Sequence, residues 1–193
     1  MTQPVSIVGA TGALGSDTNA DPSTSITENN GGGYDGAVPT GATNPLPSGS
    51  SARTVAIWIK PNDSSCRDFI GWGYTSTAEG FGLGDACDGA NSIIVTGWSD
   101  DLEFTTTTNI HDGNWHFIVA TVSATGVVNV YVDGASVGAS QTFPTQLNTT
   151  PATELYIGSE EDAYSSWYGG LQDAAIFPTA LSSSQVSTLY ADR

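Results

Sequence analysis

From residue 54 onward the chain is built from short runs in which apolar and polar positions alternate with a period of two rather than 3.6. In Thr54-Val55-Ala56-Ile57-Trp58-Ile59-Lys60 the β-branched residues 55, 57 and 59 share one face, and Pro61-Asn62-Asp63 ends the strand. The same pattern predicts strands over 69–74, 80–84, 92–98 and 102–105, with Asp100-Asp101 turning the chain between the last two. The clearest hairpin pairs 115–122 with 127–132 across Ser123-Ala124-Thr125-Gly126, and Asp133-Gly134 is a turn dipeptide closing its second strand. Two more strands are predicted at 155–157 and 171–177. One helix is predicted, at the end of the chain: Ser182 and Gln185 have capping-box spacing, and Val186, Leu189 and Tyr190 form its apolar stripe. About ten short strands and a single helical turn predict an all-β fold, a two-sheet antiparallel β-sandwich.

Residues 1–50 read differently. Gly9-Ala10-Thr11-Gly12-Ala13-Leu14-Gly15-Ser16 and Gly31-Gly32-Gly33 are too glycine-rich for helix, and Pro39, Pro45 and Pro47 interrupt regular strands. The expected division is 1–28, a Gly/Ser/Thr-rich arm or edge strand, and 29–193, the sandwich. The arm either reaches a neighbouring subunit or lies as a loose strand on its own domain.

Composition sharpens this. Charged residues make up 12% of the 193, against about 25% in ordinary soluble domains, and Lys60 is the only lysine. The surface is therefore expected to be hydroxyls, amides and isolated aspartates. With four basic residues and a net charge of -16, the chain cannot neutralise a row of phosphates, and an anionic membrane would repel it. No stretch approaches the ~18 apolar residues a membrane-spanning helix needs. Nucleic acid and membrane insertion are excluded as partners. Cations, neutral sugars and protein surfaces remain.

Two stretches carry a family likeness. Asp112-Gly113-Asn114-Trp115-His116-Phe117-Ile118-Val119-Ala120-Thr121, continuing through Val130-Tyr131-Val132-Asp133-Gly134, resembles the signature hairpin of laminin G-like jelly rolls of the concanavalin A-like lectin/glucanase group. Leu155-Tyr156-Ile157-Gly158, then Tyr168-Gly169-Gly170-Leu171-Gln172-Asp173-Ala174-Ala175-Ile176-Phe177 and Ala180-Leu181-Ser182, resemble its closing strand and helix. The resemblance runs over roughly 30–193 and implies a concanavalin A-like jelly roll. It implies little about function, since this fold hosts lectins, hydrolases, receptor modules and structural proteins.

Glucanases of this fold carry Glu-x-Asp-x-x-Glu on one strand, and none of Glu28, Glu79, Glu103, Glu154, Glu160 or Glu161 begins that pattern, so no enzyme is expected. His111 and His116 have no nucleophile partner in sequence and read as structural. Loop acids suit calcium, which takes six to eight oxygens, and Asp100, Asp101 and Asp173 are the candidate ligands. The resemblance implies half-sites at residue 33, before Tyr34, and at 172–173. Here they read Gly33 and Gln172-Asp173, departing from the acidic pattern. Trp72, Tyr74, Trp98, Trp167 and Tyr168 are the candidate glycan platform, because sugar faces stack on aromatic rings; core packing is the competing role for each. Trp58 and Trp115 are assigned to packing. Cys66 and Cys87 flank a hairpin-like excursion and form a candidate disulfide, or a reduced pair in a cytoplasm.

Met1-Thr2-Gln3-Pro4-Val5-Ser6 lacks the basic and apolar segments of an export signal. The expected role is a non-enzymatic bacteriophage virion protein, a capsid decoration or a tail adhesin on the virion surface, contacting other virion proteins or its own copies and cell-surface glycans. The alternative is an extracellular, free-standing carbohydrate-binding module.

Overall fold

The structure is a computed structural model, and it describes residues 5–6, 24–26, 38–39, 46–62, 68–86, 91–152, 154–158, 167 and 169–192. Cys66, Cys87 and Tyr168, with Gly33 and Tyr34, lie outside these. The described elements are β1 (Val5–Ser6), β2 (Thr24–Ile26), β3 (Val38–Pro39), β4 (Arg53–Pro61), β5 (Asp68–Gly73), β6 (Gly80–Asp85), β7 (Ser92–Thr96), β8 (Leu102–Thr105), β9 (His116–Val122), β10 (Val127–Val132), β11 (Ala135–Thr142), β12 (Glu154–Ile157), β13 (Gly169–Phe177) and helix α1 (Ser183–Ala191).

The strands form two antiparallel sheets. One runs β1-β13-β4-β9-β10-β11, with β2 also on β13; the other runs β3-β12-β5-β6-β7-β8. This is the two-sheet sandwich with one short helix that the local patterns predict, and the jelly roll that the resemblance implies. Val55, Ile57 and Ile59 of β4 point inward with Ile118, Ala120, Val128 and Val130, and meet Phe69, Leu83, Ile93, Val95 and Phe104 of the second sheet.

The outer face of β4 and β9 is also covered. Ala56, Trp58, Phe117, Val119 and Tyr131 form a second apolar layer beneath α1, with Val186 as the buried helix residue. Trp58 and Phe117 are 5.2 Å apart by ring centroid, and Tyr190 lies 6.0 and 6.1 Å from them. Burying one such aromatic is worth roughly 1.5–3 kcal/mol. This double coverage explains why His116 and Phe117, which alternate in sequence, are both buried. Trp115 is half-buried against this layer, and a Cβ on Gly170 would meet its ring at 2.6 Å. Its packing assignment and that of Trp58 agree with the structure. Helix α1 starts as predicted: Ser182 is the N-cap, and both reciprocal bonds with Gln185 are present.

Two strands have no counterpart in the sequence reading, the two-residue β3 and the longer β11. β11 follows directly on Asp133-Gly134 and pairs with β10, but it lies at the edge of the sheet and only Val137 along it is buried. At the amino end, Val5 sits opposite Ile176 and Ser6 opposite Ala175, while Thr24 to Ile26 pair with Leu171 to Gly169. These segments therefore pair with the chain's own β13. Among the described residues no helix is long and apolar enough to cross a membrane.

Candidate functional site

The β5–β6 and β7–β8 turns emerge from the same end of the six-stranded sheet. Strand β5 stops at Gly73 (φ 108°), where a Cβ would lie 2.5 Å from the Glu79 carbonyl oxygen, so only glycine fits. The chain then turns outward, and Tyr74 is 61% exposed. Its backbone N–H donates to Glu79 O at 3.1 Å, and Ala78 N–H donates to Gly97 O of the neighbouring turn at 2.6 Å. The 143–150 segment braces both turns: Asn148 N–H donates to Ala78 O, and Thr150 N–H and Oγ1 donate to Glu79 O.

Three non-glycine residues here have left-handed backbones: Ala78 (φ 62°), Trp98 (φ 57°) and Ser99 (φ 61°). Such a conformation costs on the order of 1–3 kcal/mol per residue and persists only where the surroundings dictate it. Asp101 supplies that constraint. Its Oδ1 accepts from Gly97 N–H and from the Thr96 hydroxyl, whose oxygen accepts in turn from Trp98 N–H. Trp98 is thus held partly exposed on a turn bonded to the one that carries Tyr74. Exposed Thr75, Thr77, Ser99 and Thr150 surround them.

Arg53 lies fully buried beneath this end. Its Nε donates to Ser51 O, Nη1 to Thr149 Oγ1 and Nη2 to Gly49 O, at 2.8 to 3.0 Å. The guanidinium sits 5.8 Å from the Trp72 ring and 5.1 Å from that of Phe81. Burial lowers its pKa to about 10, which leaves it a cation at neutral pH. Nothing in the sequence marked it as more than a strand residue. Its burial follows from the carbonyls that the 48–51 segment turns toward β4.

Two expected platform residues belong to the core instead. Trp72 is 0% exposed, packs on Phe81 at 4.8 Å, and donates its Nε1–H to Pro47 O. Trp167 is 1% exposed, sits edge-on to Phe69 at 5.0 Å and donates Nε1–H to Gly170 O. Phe69 lies near the start of the strand that Tyr74 follows, so Trp167 is also at the opposite end of the sandwich. Neither ring can meet a sugar.

The candidate calcium ligands do not assemble. Asp100 is 7% exposed, and its Oδ2 accepts from Thr145 N–H. Asp101 is the keystone of its own turn. Asp173, on a bulge of β13 in the other sheet (φ 50°), accepts from the Gln172 amide. Among the described residues no three His, Cys, Asp or Glu side chains converge as a metal would require. In the described structure Asp100 and Asp101 brace turns and loops, and Asp173 stands apart from them on the other sheet.

At the other end, His116 is clamped between two carboxylates. Its Nδ1 lies 2.9 Å from Asp133 Oδ2 and its Nε2 3.1 Å from Asp112 Oδ1, while Asp133 Oδ1 accepts from Phe117 N–H. The bond to Asp133 raises the imidazole pKa against the effect of burial, with Asp112 adding to it. Bonds from the Asn114 side chain and backbone, then from His116, bring Asp112 down to about 2. His111 Nε2 meets the buried Asp85 at 2.6 Å. Both histidines tie loops to strands, the structural role expected for them.

The fold is the concanavalin A-like jelly roll, and the chain belongs to that class. The particular family is the laminin G-like one of the concanavalin A-like lectin/glucanases superfamily, whose model matches residues 30–187. Among solved structures the chain is similar to the heptameric SAP-like pentraxin of Limulus polyphemus, at 18% identity and TM-score 0.66, covering 87% of this chain and 80% of that one. It is also similar to the botulinum neurotoxin serotype G binding domain, at 14% identity and TM-score 0.68, covering 98% of this chain but 46% of that one. A botulinum neurotoxin DC binding domain solved in complex with SialylT matches at 11% identity and TM-score 0.54, over 74% of this chain and 36% of that one. The chain thus spans less than half of each toxin domain. At these identities the likeness is one of fold. No curated protein matches the sequence.

Proposed function

We propose that this domain is a non-catalytic, lectin-like module that binds glycans through the Tyr74/Trp98 end of the sandwich. One observation carries the reading: an exposed tyrosine and a partly exposed tryptophan stand on two hydrogen-bonded turns, and the tryptophan backbone is held left-handed by Asp101. A partly exposed ring whose backbone costs conformational energy to hold, with hydroxyl side chains exposed on the same turns, is what sugar stacking needs. The family and the absence of the glucanase carboxylate pattern support a binding role over a hydrolytic one. Display on a virion surface, a setting that suits an acidic, lysine-poor exterior, would place this same end outward; its test is mass spectrometry of purified particles.

The test of the site is a glycan array followed by calorimetry on any sugar retained. Tyr74→Ala and Trp98→Ala should each weaken binding roughly five- to tenfold, the loss of one aromatic contact of about 1–1.5 kcal/mol. Unchanged affinity in both variants would remove this end of the molecule as the site. Release of reducing sugar from a retained oligosaccharide would overturn the non-catalytic reading.

A further inference from the structure

The charges around the two aromatic turns say which glycans they can take. The chain has four basic residues, Arg53, Lys60, Arg67 and Arg193. Lys60 stands near the far end of β4, opposite Gly170 of β13, so it is a strand's length from the Tyr74 turn. Arg53 is close, but it is 0% exposed, and its Nε, Nη1 and Nη2 each donate to Ser51, Thr149 or Gly49. The guanidinium therefore braces the turns from below and offers no face to a ligand. Arg67 and Arg193 lie outside the described residues. What the described end does present is acidic: Asp101 is exposed on the Trp98 turn, Glu79 is partly exposed on the Tyr74 turn, and Glu103 is exposed on β8.

We infer, resting on the glycan reading above, that the Tyr74/Trp98 end selects uncharged sugars and rejects sialylated or sulfated ones. The physical argument is one of missing attraction and present repulsion. Recognition of a sugar carboxylate or sulfate rests on Arg, Lys or an oriented N–H row, whose charge-assisted bonds are about twice as strong as neutral ones. Among the described residues this end has no exposed cation to make such a bond. The backbone N–H groups of Tyr74, Ala78, Gly97, Trp98, Asn148 and Thr150 already donate within the turns. An anionic sugar stacked on Trp98 would sit beside the Asp101 carboxylate, inside a net charge of -16. A neutral pyranose meets no such opposition: its apolar face stacks on the rings, and its hydroxyls exchange bonds with Asp101, Glu79 and the threonine hydroxyls, all of which can accept.

The experiment is a paired array: neutral hexose and N-acetylhexosamine oligosaccharides beside the same oligosaccharides carrying terminal sialic acid or sulfate, at about 20 mM and about 150 mM salt. The wild type should retain neutral members and bind their anionic partners at least about fivefold more weakly, a gap that narrows as salt screens the repulsion. Glu103→Lys, a charge reversal at an exposed position on β8 beside the turns, should raise anionic binding while leaving neutral binding unchanged. Equal or tighter binding of the sialylated or sulfated members by the wild type overturns the selectivity while the glycan site stands. Retention of neither series overturns the glycan site itself, and the selectivity with it.

Discussion

The two ends of the sandwich spend their polar groups in opposite ways. At the His116 end, charges are satisfied by one another: an imidazole bridges Asp112 and Asp133, and Asp133 also holds the Phe117 amide. At the Trp98 end, backbone groups and Asp101 are used to hold turns in left-handed shapes, and the side chains so displayed are an exposed tyrosine, a partly exposed tryptophan and hydroxyls. The dense charge cluster is thus internal scaffolding, whereas the chemically plainer end leaves aromatic and hydroxyl groups facing solvent. Polar density alone is a poor guide to a site; what matters is whether the groups are already committed.

That contrast can be broken at several points. The largest effect should come from Trp72→Ala, which empties a fully buried site and strands the Pro47 carbonyl. The expected loss is about 3–5 kcal/mol, read as a lowered denaturation midpoint. A stable variant with impaired glycan binding would return Trp72 to the platform.

Next in size is the histidine clamp. Asp133→Ala should cost about 1–3 kcal/mol, since it leaves the Phe117 N–H without its acceptor. The clamp also sets a pH dependence. His116 has a raised folded pKa, so its contribution is complete below the unfolded value of 6.5 and fades as pH rises through the folded value. Asp112 has a depressed one, so its contribution is complete above 3.8 and fades as pH falls toward about 2. Melting temperature should therefore plateau between about pH 4 and 6.5 and decline on the alkaline side. Asp133→Asn, which tolerates the left-handed backbone, should flatten that decline; an identical profile in the variant would mean the clamp is not its source.

Smaller still is the helix cap. Ser182→Ala breaks the capping box and should lower stability by about 1 kcal/mol, with no change in binding. Smallest are Tyr74→Ala and Trp98→Ala, expected within about 0.5 kcal/mol of wild type in chemical denaturation. A large destabilisation by Trp98→Ala would show that its ring is packing rather than display.

Much of the architecture was legible from local pattern. The β9–β10 hairpin and the Ser182/Gln185 box are encoded by residues close in sequence, and both stand where predicted. β11 escaped because its edge position leaves most of its side chains in solvent, so no apolar alternation marks it. The site was half legible. Trp72 and Tyr74 are two residues apart and by strand alternation should share a face, yet one is in the core and the other in water. Gly73 ends the strand between them, and a sequence does not say at which of several glycines a strand stops. Trp167 misled for a different reason: it sits in a Ser/Gly-rich stretch, but tertiary contact with Phe69 buries it. The candidate disulfide of Cys66 and Cys87 and the role of Tyr168 lie outside the described residues.

The placement of β13 sets a timetable for making this protein. This strand, Gly169–Phe177, lies between β4 and the amino-terminal strands β1 and β2, so the seven-stranded sheet is zipped by a segment more than a hundred residues downstream of its main partner. A nascent chain that has emerged only through β12 has β4 paired on one edge and bare on the other. Closure therefore waits on synthesis, and the long loop to be closed puts folding in the millisecond-to-second range typical of non-local β proteins. During translation the exposed edge of β4 is a strand in search of a partner, and the same edge on a neighbouring ribosome's product is the nearest wrong one.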